Sequence, residues 1–252
     1  MIFVIIAGAL IIGFTLGLLG SGGSILTVPI LVYLVGEPEK LAIGESLGIV
    51  AIISLSGFIP YAWKNQVHWR SIFFFGLPGI GGTWIGAWSS QFISGQLQLT
   101  VFGIVMVVAA VMMFLKKKSL EDSSKRSKHA FWKIILEGLF VGVLTGMVGV
   151  GGGFLIVPAL VLLGGLSMYL AVGTSLGLIT MNSVIGFISY VSILGEMDVY
   201  IDWMLVLVFG LIGTLGAYSG KIAATWVPQQ TLRKVFAIFL VAMGGYMMYA
   251  NL

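Results

Sequence analysis

The stretch Gly17-Leu-Leu-Gly-Ser-Gly-Gly-Ser-Ile-Leu-Thr-Val-Pro29-Ile-Leu31 decides the architecture, because it occurs twice. A shift of 129 residues places it on Gly146-Met-Val-Gly-Val-Gly-Gly-Gly-Phe-Leu-Ile-Val-Pro158-Ala-Leu160. Shared apolar composition would explain matching Leu and Val, but it does not explain Gly and Pro matching at one fixed offset. Self-similarity of this kind indicates a duplicated structural unit. We therefore expect two related halves.

The match continues beyond the glycine-rich blocks. Leu41-Ala-Ile-Gly-Glu-Ser-Leu-Gly48 aligns with Leu170-Ala-Val-Gly-Thr-Ser-Leu-Gly177 at the same offset. Further on, Ile85-Gly-Ala-Trp88 aligns with Leu215-Gly-Ala-Tyr218 after a shift of one more residue. These matches predict a first repeat over residues 1–115, a linker over 116–130 and a second repeat over 131–252.

The composition is typical of a membrane protein. Of the 252 residues, 59% are hydrophobic and 9% are charged, and the mean hydropathy is +1.10. A soluble domain has about 25% charged residues, so an ordinary soluble domain and a nucleic-acid-binding protein are both excluded. The net charge of +4 is then explained by the excess of Lys and Arg in cytoplasmic loops. The chain has no Cys, and no metal site or cofactor is expected.

Each half divides into five apolar segments. They cover about 2–19, 25–36, 39–63, 71–93 and 97–115, and then 133–149, 154–165, 168–194, 203–226 and 231–250. The second segment of each half has about a dozen residues, which at 1.5 Å per residue is too short for a hydrocarbon core of about 30 Å. Each is expected to be either a re-entrant hairpin or a short broken helix. The predicted fold is an all-α polytopic membrane protein.

Charge favours five crossings in each half. The linker is rich in Lys and Arg, which places it in the cytoplasm. Five crossings per half then put most basic residues on the cytoplasmic side, whereas four crossings would move Lys221, Arg233 and Lys234 outside. An odd number of crossings makes the halves inverted. Equivalent loops also differ in sign, since Lys64 to Arg70 is basic and Glu196 to Asp202 is acidic.

The glycine-rich blocks Gly20–Ser24 and Gly149–Gly153 are the strongest local signal. Neither has the spacing or the preceding strand of a dinucleotide-binding motif. We expect Pro29 and Pro158 to lie in the first turn of a helix, with the glycines before them unwound. Paired broken helices form the substrate sites of inverted-repeat transporters, and N–H groups at a helix start favour anions. The alternative is that these glycines only permit tight helix packing.

Five further pairs of glycines fit the pattern G-x-x-x-G, and for these we favour helix packing alone. The pairs are Gly13/Gly17 with Gly142/Gly146, Gly44/Gly48 with Gly173/Gly177, and Gly82/Gly86.

Few polar side chains lie inside the apolar segments. Glu45 is an acid within a span, and its counterpart is Thr174. A charge at a helix centre costs about 2.5–3.5 kcal/mol on insertion scales, so Glu45 is a candidate for proton coupling or gating; a purely structural role is the alternative. Lys221 is interpreted as an interfacial residue. Substrate contact and interhelical hydrogen bonding both remain open for a set of uncharged residues: Ser46, Ser54, Ser175, Asn182 and Ser183.

The two G-x-G-G-(G/S)-x-x-x-V-P-x-L blocks, each followed by A-(I/V)-G-x-S-L, resemble the sulfite exporter TauE/SafE family. The resemblance covers nearly the whole chain. It implies a transporter that moves small sulfur-containing anions, such as sulfite or organosulfonates, across the bacterial cytoplasmic membrane. The site residues that it implies are Gly22, Gly23, Ser24, Gly151, Gly152, Gly153, Ser46, Thr174 and Ser175. The chain departs from the family pattern at Ser24, where Gly is usual, and at Glu45, where Thr is expected.

Other functions fit less well. An enzyme would need convergent acids, histidines or a nucleophile–base pair, and the spans offer little besides Glu45. A passive anion channel shares the architecture of a carrier and stays open as the alternative. The expected partners are a small anion, protons and the lipid bilayer, with no nucleic acid. The oligomeric state, monomer or homodimer, stays open.

Overall fold

The computed structural model describes residues 2–20, 23–115, 131–153, 156–157, 160, 166–224, 226 and 229–250. No strand occurs among them, so the predicted all-α class is confirmed. Gly22, Pro158 and the linker 116–130 lie outside the described residues. The helices are α1 (Ile2–Leu19), α2 (Ser24–Pro29), α3 (Glu39–Trp63), α4 (Trp69–Ser89), α5 (Gly95–Leu115), α6 (Phe131–Val148), α7 (Met168–Glu196), α8 (Trp203–Ala224) and α9 (Gln229–Ala250).

The helices expose an apolar outer surface. Leu211, Leu215 and Phe140 are each more than 60% exposed, which suits contact with lipid rather than water. Within the described residues, three helices are long and apolar enough to cross a membrane: Glu39–Trp63, Leu170–Glu196 and Trp203–Ala223. Trp63 and Trp226 lie at or just beyond helix ends and are 83% exposed, as tryptophans at a membrane interface are.

The short segment of the first half is a continuous helix that changes its winding. It begins at Ser24, directly after Gly23, and becomes π-helical at Ile30–Val35. Pro29 therefore lies at the end of α2, and the expectation that it occupies the first turn is wrong. Proline lacks an N–H and its ring crowds the carbonyl four residues earlier. The wider π turn that follows is a known response to such a break in the hydrogen-bond ladder.

The centre of the bundle is an antiparallel contact between α3 and α7. Gly44 near the start of α3 faces Tyr190 near the end of α7, whereas Gly57 near the end of α3 faces Leu176 near the start of α7. Glycines of α7 likewise face large side chains of α3, since Gly177 faces Phe58. Residues 42–50 of α3 are all buried. Large side chains of one helix thus fill spaces left by glycines of the other.

Two further helix pairs run parallel with their backbones in direct contact. A Cβ on Gly13 of α1 would overlap the carbonyl of Gly213 in α8, and one on Gly17 would overlap Ala217. Likewise, Gly142 of α6 lies against Gly79 of α4. The favoured packing role of these G-x-x-x-G pairs is confirmed, since small residues let helices approach where lipid gives no hydrophobic driving force.

The contacts also correct the alignment of the two halves. The contact of Gly13 with Gly213 is equivalent to that of Gly142 with Gly79, which relates α1 to α6 by 129 residues and α4 to α8 by 134. Gly82 and Gly86 accordingly correspond to Gly216 and Gly220. The alignment of Ile85 with Leu215 at an offset of 130 is therefore wrong by four residues, about one helical turn. Apolar helices carry similar residues one turn apart, so the sequence alone could not fix this register.

Candidate functional site

The crossing of α3 and α7 carries a polar contact at its midpoint. The hydroxyl of Thr180 in α7 lies 3.0 Å from that of Ser54 in α3. Ser54 donates to the carbonyl of Val50 at 2.6 Å, so it can accept from Thr180. Both side chains are buried. Of the two roles left open for Ser54, this hydrogen bond between helices is the one that the geometry provides.

The second glycine-rich block, Gly149–Gly153, runs from one end of α3 to this crossing. Gly149 lies against Ile43, and its carbonyl accepts a hydrogen bond of 2.6 Å from the hydroxyl of Ser46. Two residues later, Gly151 lies against Val50 of α3 and against Ile179 and Ser183 of α7. The block therefore reaches the middle of both central helices. The predicted site residues Ser46 and Gly151 belong to this one region.

Glycine is required at two turns of this block. Gly149 has φ of +78° and Gly152 has φ of +64°, a conformation that costs other residues free energy. Gly152 turns back toward its own half, where it lies against Val141 and Thr145 of α6. Gly23 makes the equivalent contacts with Ile12 and Leu16 of α1. Thus Gly23 and Gly152 each pack on the first helix of their own half.

Several buried polar atoms around this block have no hydrogen-bond partner within the described part of the chain. They include the hydroxyls of Thr145 and Ser183 and the side-chain amide of Asn182. Ser183 faces Gly151, Thr145 faces Gly152, and Asn182 faces Gly79 of α4. An unpaired buried polar group costs about 1–3 kcal/mol, so a ligand that accepts hydrogen bonds here would recover free energy. Thr145 also lines a cavity of about 10 Å³, which is about the space of one water.

Glu45 and Thr174 do the same structural task in the two halves. Oε1 of Glu45 accepts a hydrogen bond of 3.0 Å from the backbone N–H of Asp202, just before α8. The hydroxyl of Thr174 accepts one of 2.9 Å from the N–H of His68, just before α4. Each of the two loop residues in turn caps its helix, since Asp202 accepts from Leu205 and His68 accepts from Ser71. Positions 45 and 174 therefore hold equivalent loops.

Only one of the two carboxylate oxygens of Glu45 accepts the hydrogen bond from Asp202. Its side chain is fully buried, and Oε2 has no partner among the described residues. Two other acids lie nearby, Glu37 and Asp202. Glu37 sits in the loop before α3, where burial and the negative charge of Asp202 both raise its pKa.

The remaining predicted site residues have simpler surroundings. Ser24 is buried at the start of α2, and Gly153 is buried beside Gly152. The hydroxyl of Ser175 donates to the carbonyl of Val172 at 2.8 Å, within its own helix. The sequence identifies Ser183 and Asn182 as polar residues inside a span. Thr145 and Thr180 were missed, because an isolated Thr in an apolar helix gives no signal without the packing.

Comparison with known proteins identifies the family. The sequence profile of the sulfite exporter TauE/SafE family matches residues 5–247. The chain belongs to the sulfite exporter TauE/SafE family. The resemblance inferred from its glycine-rich blocks is thereby confirmed, and the protein is a membrane transporter rather than an enzyme.

Relatives from bacteria and archaea share this description. A probable membrane transporter protein of Xylella fastidiosa (strain 9a5c) is 31% identical over 246 residues, which cover 96% of this chain and 92% of the relative. One of Methanocaldococcus jannaschii is 28% identical over 253 residues, covering 95% and 94%. One of Bacillus subtilis (strain 168) is 26% identical over 276 residues, covering 100% and 99%. No solved structure matches the chain significantly.

A substitution at Gly151 tests whether the block acts in transport. A Cβ there would lie 2.8 Å from Ile179, 3.0 Å from Ser183 and 3.0 Å from Val50, so Gly151→Ala pushes the block away from the crossing. We expect at least a tenfold loss of anion flux, with the helical content and monodispersity retained, since the overlap involves side chains that can move by a few tenths of an ångström. The measurement is flux in proteoliposomes beside circular dichroism and size exclusion.

Gly195→Ala is the matched control, because a Cβ at Gly195 in the same bundle meets nothing within 4 Å. It should transport like the parent. Parental flux in Gly151→Ala as well would assign the block to packing alone.

Proposed function

We propose that this TauE/SafE protein is a secondary transporter that carries a small sulfur-containing anion, sulfite or an organosulfonate, across the cell membrane. The observation that carries the proposal is the position of Gly149–Gly153 at the crossing of α3 and α7. The hydroxyls of Ser183 and Thr145 beside it have no hydrogen-bond partner among the described residues. Hydroxyl and amide groups here can donate hydrogen bonds to an anion. An anion that loses its hydration on binding needs such donors. The family description supplies the chemical class.

The proposed topology has ten membrane segments in two inverted halves, with the linker 116–130 in the cytoplasm and both termini outside. The antiparallel contact of α3 with α7 supports this arrangement, because four crossings per half would make these two helices parallel. The contact of α5 with α9 is also antiparallel, since Gly103 faces Met248 and Gly244 faces Val107. Paired inverted repeats with sites at their interface are common in secondary transporters.

The direct test is a counterflow experiment with the full chain in proteoliposomes. Vesicles loaded with one anion are assayed for uptake of the same labelled anion, with sulfite, sulfate, thiosulfate, sulfoacetate and taurine compared. We expect saturable exchange of at least one sulfur anion and none of chloride. Flux that rises linearly with concentration would favour the channel alternative. Absence of exchange for all five compounds would contradict the proposal.

Proton coupling is proposed to reside in Glu45. An ionised carboxylate loses hydration on burial, and Oε2 of Glu45 receives no hydrogen bond in exchange within the described structure. Glu37 and Asp202 add negative charge around it, and an arriving anion would add more. Each of these favours the neutral acid, so anion binding promotes proton uptake at Glu45. Binding should then weaken as the pH rises through the range in which Glu45 loses its proton.

The variant Glu45→Gln removes the titrating group and keeps an oxygen that can accept from Asp202. We expect it to exchange anion for anion like the parent but to lose accumulation driven by an imposed pH gradient between pH 5 and 8. Both are measured in the same vesicles. Glu196→Gln is the control, because it removes an exposed carboxylate at the end of α7 and leaves Glu37 and Asp202 in place. Accumulation by Glu45→Gln that equals the parental level would exclude Glu45 as the coupling residue.

A further inference from the structure

A small cavity with a lysine in its wall lies between α1, α3, α7 and α8. Its volume is about 20 Å³. Lys221 of α8 and Tyr61 of α3 line it, with Gly17, Gly20 and Gly57. Gly20 is the first residue of the glycine-rich block of the first half, so the cavity adjoins that block. The remaining lining is apolar: Leu16, Val172, Leu176 and Ala217.

Lys221 is held by an aromatic face. Its Nζ lies 4.3 Å from the centroid of the Tyr61 ring, within the range of a cation–π contact. In the part of the chain that the structure describes, no carboxylate forms a salt bridge with it. Lys64, just beyond α3, is a second positive charge close enough to act on Lys221. A half-buried ammonium group gains charge-assisted hydrogen bonds from any anion that enters the cavity.

The equivalent position in the other half has no such charge. The offset of 134 residues relates Lys221 to Ala87 of α4, and the offset of 129 relates Tyr61 to Tyr190 of α7. Tyr190 is almost fully buried, and its hydroxyl lies 3.3 Å from Nε2 of Gln98 and 3.4 Å from the carbonyl of Met147. One end of the pseudo-symmetric bundle therefore offers a cation, while the other is filled by a hydrogen-bonded tyrosine.

We propose that Lys221 and Tyr61 form the first binding position for a small oxyanion on the cytoplasmic side of the transporter. This rests on the proposed function and deepens it. The anion is bound by the ammonium group of Lys221, while the Tyr61 ring orients that group. The present volume admits water only, so binding requires the helices that line the cavity to separate.

Side-resolved transport kinetics test the position. The variant Lys221→Met keeps an unbranched apolar stem on the Tyr61 ring and removes the charge. With labelled sulfite as probe, we expect the half-saturation concentration at the cytoplasmic face to rise at least about tenfold, as loss of a hydrogen bond to a charged group gives. The value at the opposite face and the maximal rate should change less than about threefold, and Lys221→Arg should retain most of the affinity.

Lys64→Met is the matched control, because it removes a neighbouring positive charge that does not line the cavity. It should change the half-saturation concentration less than about threefold. If the parent transports sulfite and Lys221→Met has unchanged kinetics at both faces, the inference is overturned. The proposed function would still stand.

Calorimetric titration of sulfite into the detergent-solubilised protein gives a readout that needs no transport. Binding to the parent that weakens at least about tenfold in Lys221→Met and not in Lys64→Met supports the position. No binding to the parent, or equal binding to Lys221→Met, overturns it. A parent that exchanges none of the five anions contradicts the proposed function separately.

Discussion

The antiparallel crossing of α3 and α7 is the contact on which the rest of this molecule depends. Glycines on each helix accept large side chains of the other, and Ser54 and Thr180 meet at the centre. Because the two helices are equivalent members of the two halves, their contact sets how the halves face each other. The two loops that Glu45 and Thr174 hold by hydrogen bonds lie at its two ends. The crossing also carries the contacts of Gly151 with Val50 of α3 and Ile179 of α7.

Glycine has two different structural roles in the bundle. In α1, α4, α6 and α8 it brings backbones together, since packing and not the hydrophobic effect joins helices in lipid. In Gly149–Gly153 it lets an irregular chain reach the protein interior, where backbone without helical hydrogen bonds survives only if protein or a wet cavity surrounds it. Glycines of the helices thus explain the tight packing of the structure, and glycines of the duplicated block explain how irregular backbone reaches its interior.

Much of the fold could be predicted from the sequence. Within the described residues, the apolar segments correspond to the helices within a few residues, because membrane length and the lack of charge leave few alternatives. Most of the segment 154–165 lies outside the described residues. The packing role of Gly13, Gly142 and their partners followed from spacing alone. The place of Pro29 at the end of α2 did not, since a π turn accommodates a proline that ordinary helix rules would put at the start.

The site was predictable only in part. The block Gly149–Gly153 is visible as a repeated motif, and Glu45 is visible as an isolated acid. Thr180 and Thr145 gain meaning only from what faces them. Lys221 was interpreted as an interfacial residue, yet it is half-buried over Tyr61. Its relation to Ala87 requires the offset of 134 residues, which only the contacts of α4 and α8 provide.

The inverted orientation of the two halves in the membrane is tested most directly by sidedness labelling. The native chain has no Cys, so single cysteines at Lys125 and Asp198 can be labelled with a membrane-impermeant maleimide in intact cells and in inverted vesicles. If the halves are inverted, Asp198→Cys reacts in intact cells and Lys125→Cys only in inverted vesicles. Labelling of both from the same side would contradict the inverted arrangement.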